Sequence, residues 1–123
     1  MSNEVLSLPL TAEQFVDICN EAGKATIHIA KEAGASTPEY LSAVVTETLH
    51  RFDAATGRPH KVVTEEQIKD WAEELTGGFA LSSLFGPSAI YSTLNSIVAE
   101  YVGVTDDELV APQDEDQQEE EAA

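Results

Sequence analysis

Apolar and small residues return at steps of three and four along most of this chain, a spacing that fits packed helices and little else. Between Ala12 and Ala33, the residues Phe15, Ile18, Cys19, Ala22, Thr26, Ile29, Ala30 and Ala33 fall on one helical face. That face is about six turns long. The stretch "ATIHIA" (Ala25–Ala30) alternates like a strand, and Gly23 weakens a helix there by about 1 kcal/mol. No neighbouring segment offers a strand partner, so the helix is preferred. Leu41, Val44, Val45, Thr48 and Phe52 trace a second face, edged by Tyr40 and Leu49. Ile68, Trp71, Ala72 and Leu75 trace a third, and Ile90, Tyr91, Leu94, Ile97, Val98 and Tyr101 a fourth.

Start and stop signals bracket each face. Thr11 with Gln14, Thr64 with Gln67 and Thr105 with Glu108 have the spacing of capping boxes, in which two side chains satisfy the first free N–H groups of a helix. Ser36 or Thr37 precedes Pro38, whose missing N–H costs nothing in a first turn. Gly34, the Gly57–Pro59 turn, the pair Gly77–Gly78 and Gly103 read as stops. The segments "LTAEQFVDI" and "VTEEQIKDW" echo one another through Thr-x-Glu-Gln, and their continuations, "CNEAGKATI" and "AEELTGGFA", diverge. The echo is two capped, acid-started helices, because carboxylates favour the positive end of the helix dipole.

The expected fold is therefore all-α: four main helices in a compact bundle, an extended N-terminal arm and a disordered acidic C-terminal tail. The arm covers residues 1–10 and lies over an apolar surface, its own or a neighbour's. The helical domain covers 11–111, and the tail 112–123 has no large apolar residue to offset its ordering entropy. A chain of 123 residues with 42% apolar content has the size and composition of one domain with its own core.

Charge narrows the function. The chain holds 23 Asp/Glu against 6 Lys/Arg. Residues 1–100 have a net charge of −8, and residues 101–123 one of −9 with no base at all. Gripping phosphates requires clustered Lys and Arg to displace counterions, so direct nucleic-acid binding and attachment to anionic membranes are not expected. No apolar run approaches the length of a membrane span, and "MSNEVLSLPL" lacks the pattern of a secretory signal. With Cys19 as its one cysteine, the chain is expected to be cytoplasmic.

Catalytic and metal-binding patterns are sparse. His28, His50 and His60 show no i, i+4 pairing, although a group such as His28, His50 and Asp53 could assemble in space. Cys19 sits on an apolar face as a small core residue. "LTGGFALSSLFGPSA" has glycines before a helix but neither the lysine nor the spacing of a phosphate loop. "DDELVAPQDED" lacks the alternating oxygen ligands and central glycine of a calcium loop. The expectation is no cofactor, no metal and no enzyme.

Two stretches point to a partner. Phe79, Leu81, Leu84 and Phe85 stand in the glycine-bracketed segment Gly77–Gly86, read either as a plug for the core or as an apolar docking loop. Asp114, Glu115, Asp116, Glu119, Glu120 and Glu121 form an acidic arm. It can solubilise the chain, shield a basic partner or gate the protein's own basic spots. The expected role is a non-catalytic interaction protein that binds and modulates, by inhibition or shielding, a protein partner with a basic or nucleic-acid-binding surface. Imitation of DNA is its strongest form. The alternative is a structural or assembly component of a larger particle, such as a viral subunit or assembly chaperone. A homodimer or higher oligomer is open to the chain: a higher-order ring or filament favours the particle component, and a monomer or dimer that captures a partner favours the modulator.

Overall fold

The computed structural model describes residues 5–35 and 37–111. Five helices follow one another among the described residues: α1 (Ala12–Ala33), α2 (Pro38–Thr56), α3 (Glu65–Phe85), α4 (Ser88–Val102) and a single turn, α5 (Asp106–Leu109). The fold is all-α, with four main helices around one core.

The threonines start the helices as their spacing implies. Thr11 and Gln14 exchange both capping bonds, at 3.1 and 2.9 Å, and Thr105 and Glu108 do the same at α5. Thr37 caps α2 by accepting from the Tyr40 N–H, with Pro38 in the first turn. Thr64 accepts from the Gln67 N–H at 3.1 Å but forms only this half of its box.

The predicted faces turn inward. Phe15, Ile18 and Cys19 of α1 meet Leu41, Val44, Val45, Leu49 and Phe52 of α2 in a core shared with Trp71, Leu75, Leu94, Ile97 and Val98, and Ala22 is fully buried. Each large side chain that reaches full burial contributes about 1.5–3 kcal/mol. The two threonines on these faces are satisfied locally: Thr26 and Thr48 donate to the carbonyls of Ala22 and Val44.

Helix α1 packs on α2, α2 on α3 and α3 on α4. Helix α4 returns to α1 through the Tyr91 hydroxyl, which donates to Asn20 Oδ1 at 2.8 Å. Successive helices run antiparallel, as the Tyr40–Phe79 and Trp71–Tyr101 ring contacts require. One pole of the bundle therefore holds the start of α1, the end of α2, the start of α3 and the end of α4. The opposite pole holds the α1–α2 and α3–α4 turns.

The third helix does not end at Gly77–Gly78. It runs on unbroken to Phe85, with Gly86 at its C-cap. The physical reason lies across the interface. A Cβ on Gly78 would stand 2.5 Å from Thr93 Oγ1 and 3.0 Å from Thr93 Cβ. Gly78 is a point of close approach between α3 and α4, and the packing of the hairpin outweighs the weak helical preference of the glycine pair.

The segment Val5–Leu10 lies on the domain's own surface. The Leu6 N–H donates to Ala55 O at 2.8 Å, and Leu6 and Leu8 pack against the core. Leu10 is fully buried and forms an isolated parallel bridge with Val110. Its N–H donates to Leu109 O, and its carbonyl accepts from the Ala111 N–H. The tail 112–123, expected to be disordered, lies outside the described residues.

Candidate functional site

Helix α3 carries the most distinctive surface. At 3.6 residues per turn, Glu66, Asp70, Glu73, Glu74, Gly77, Leu81, Leu84 and Phe85 fall within a sector of about 120°. All eight are exposed. The stripe changes character along its length. Four acids occupy about 12 Å near the first pole, Gly77 leaves a bare gap, and three large apolar residues end it at the opposite pole. Leu81 is 48% exposed, Leu84 76% and Phe85 69%. Lys69 stands beside the acids, outside the sector.

The acids are crowded. Partial burial, and then the like charges of Glu100 and Asp70, push the Glu74 carboxyl above its ordinary value. Glu100 itself is held from α4 by Trp71, whose indole N–H donates to Glu100 Oε1 at 3.0 Å. A cationic group of a partner would relieve this repulsion.

Of the four residues singled out in Gly77–Gly86, the structure brings three together and separates one. Leu81, Leu84 and Phe85 share the exposed end of α3 and belong to a rigid helix. Phe79 points the other way: it is half-buried, with its ring edge-on to Tyr40 at a centroid distance of 6.5 Å. The six acids Asp114, Glu115, Asp116, Glu119, Glu120 and Glu121 lie outside the described residues.

A second feature was not legible in the linear pattern. At the first pole, the loop after α2 is tied to the end of α4 around Asp53, which is only 4% exposed. The Tyr101 hydroxyl donates to Asp53 Oδ2 at 2.6 Å and accepts from the Lys61 backbone N–H at 2.7 Å. His60 Nδ1 lies 2.9 Å from Asp53 Oδ2 and 3.1 Å from the Tyr101 oxygen. The tyrosine has one proton and directs it at Asp53, so the network assigns the Nδ1 proton to His60. Burial, followed by the hydrogen bond to Asp53, raises the Tyr101 phenol above its ordinary value despite the opposing Lys61 N–H.

His50 stacks on His60 with ring centroids 4.1 Å apart, while His28 lines a separate recess between α1 and α2. The spatial grouping of His50 with Asp53 therefore occurs through His60, not through His28. Among the described residues, no cluster of three or more His, Cys, Asp or Glu side chains is placed to hold a metal ion. Cys19 is buried, and burial pushes its thiol up to about 12.

The signal for this junction was an acid on an otherwise apolar face: Asp53 follows Leu49 and Phe52 at core spacing. Its partners Tyr101 and His60 are far away or in a loop, and no local pattern joins them.

The chain matches no family model, and no curated protein or solved structure matches it at a significant level.

Proposed function

We propose that this chain is a non-catalytic interaction protein that docks on a protein partner through the exposed face of α3. The observation that carries this reading is the continuity of acids and large apolar side chains on one rigid stripe. The apolar end supplies the anchor: Leu84 and Phe85 are the side chains with most to gain from burial, at about 1.5–3 kcal/mol each. The acidic part supplies orientation and speeds encounter with a basic surface, an effect that weakens as salt rises. The matching partner presents an apolar pocket beside a Lys/Arg patch, as nucleic-acid-binding proteins do. Occupying that patch would inhibit or shield it.

The test compares two groups of substitutions for capture of a partner. Leu84→Ser with Phe85→Ser should abolish capture while leaving thermal stability unchanged, because both residues are exposed. Asp70→Asn with Glu73→Gln should slow association and flatten its salt dependence. A collapse in melting temperature for the first pair would show that the apolar end serves folding instead. If the chain captures nothing and forms one large symmetric assembly through this face, it is a particle component.

A further inference from the structure

We propose that the acidic segment Asp114–Glu121 docks in cis on a basic edge of its own domain, formed by Arg58 and Lys61. Three observations converge on this contact, and none of them depends on the α3 docking face.

The first is charge. Three of the six Lys/Arg residues, Arg51, Arg58 and Lys61, and two of the three histidines, His50 and His60, belong to the end of α2 and the loop that follows. No other part of this acidic chain gathers so much positive charge. The two acids of α2 beside these cations are already engaged: Asp53 takes Tyr101 and His60, and Glu47 takes Arg51 at 3.0 Å. Arg58 has no ion-pair partner among the described residues. Lys61 Nζ donates to the Tyr101 carbonyl, which leaves its charge uncompensated.

The second is shape. Arg58 and Lys61 line one recess of about 140 Å³, walled by Pro59, Tyr101 and Val102 and floored by Asp53. The loop is held there by the Lys61 N–H bond to Tyr101 and by the Arg58 N–H bond to Asp53 O at 3.0 Å. The cations are thus presented on a fixed edge.

The third is reach. Ala111, the last described residue, is bonded to Leu10, and Val5 lies against Gly57, next to Arg58. The five residue steps from Val5 to Leu10 span at most about 18 Å, so the tail leaves the domain at the same pole. Ten residues from Pro112 to Glu121 extend up to about 35 Å. A tether this short holds the carboxylates at millimolar effective concentration, ahead of any anion diffusing from solution. Glu65, Glu66 and the acids of α5 share this pole and repel the tail, which narrows its resting place to the Arg58–Lys61 edge.

The test uses the full chain with Ala122→Cys bearing a nitroxide label; the buried Cys19 thiol is not expected to react. Paramagnetic broadening of backbone amides should concentrate on Arg58, His60 and Lys61. It should vanish at ~1 M salt, where the Debye length falls to about 3 Å. Glu119→Gln, Glu120→Gln and Glu121→Gln together should abolish it without touching the folded domain, and Arg58→Gln should weaken it. Broadening that is uniform, centred on Lys24 and Lys31, or unchanged by tail neutralisation overturns the proposal. So does broadening that appears only between molecules when labelled and isotope-enriched chains are mixed, since the tail would then bind a second copy.

Discussion

Two adjacent glycines in α3 should respond to the same substitution with opposite signs. Replacing glycine by alanine inside a helix gains about 1 kcal/mol from reduced backbone entropy. At Gly77 nothing lies within 4 Å of the new methyl group, so Gly77→Ala should realise that gain. At Gly78 the methyl would stand 2.5 Å from Thr93 Oγ1, 3.0 Å from Thr93 Cβ and 3.3 Å from the Ala89 carbonyl oxygen. Thr93 cannot simply rotate away, because its hydroxyl donates to Ala89 O at 2.9 Å. The remaining response is to part α3 from α4, and overpacking of this kind costs about 1–3 kcal/mol. Less the propensity gain, Gly78→Ala should destabilise by up to about 2 kcal/mol, a fall of as much as several degrees in Tm for a domain this size. Adding Thr93→Ala removes the nearest atom and should recover part of the loss, the Cβ contact remaining. Urea denaturation of the four proteins, with equal m-values, measures each difference. If Gly78→Ala is as stable as Gly77→Ala, the close approach of the hairpin is wrong, and the account of why α3 passes through its glycines falls with it.

Other outcomes test the remaining features. Leu10→Ala should cost about 2–5 kcal/mol, as its fully buried side chain helps hold both the N-terminal segment and α5 to the core. Tyr101→Phe leaves the Lys61 N–H without its acceptor and Asp53 Oδ2 with His60 as its remaining donor, and should cost about 1–3 kcal/mol in urea denaturation. Cys19 should resist a chromogenic disulfide reagent in the native protein and react once the chain unfolds. Its folded thiol holds a proton up to about 12 where the unfolded one loses it near 9.0, so stability should fall as pH rises above 9.0. The raised Tyr101 phenol adds to that loss above 10.0, and stability that stayed flat across this range would contradict both burials. Glu74→Gln should raise Tm slightly at neutral pH and have no effect below 4.5, since the raised carboxyl opposes folding only when ionised.

The helices were legible because their signals are local. Thr11, Thr37, Thr64 and Thr105 sit where a free N–H must be capped, and the residues three and four apart behind them had to share a face. What failed was local too. Gly77–Gly78 reads as a stop from propensity alone, yet Gly78 is needed by Thr93, fifteen positions further on. The same error made a loop of Gly77–Gly86, and correcting it converts three of its apolar residues into the end of a rigid stripe and Phe79 into a neighbour of Tyr40. The acids of that stripe were visible one by one, but their alignment with Leu81, Leu84 and Phe85 follows only once the helix is continuous. Asp53, His60 and Tyr101 needed the closed bundle before they could meet at all.

The pairing of Leu10 with Val110 has a mechanical consequence. The two segments run parallel, so a pull applied through both ends of the chain loads their hydrogen bonds in shear, together, and not one after another. Among the described residues, the clasp stands ahead of every helix from either direction along the chain. Once the clasp slips, Leu10 and Leu109 leave the core together, and the bundle opens from the pole that carries its cations.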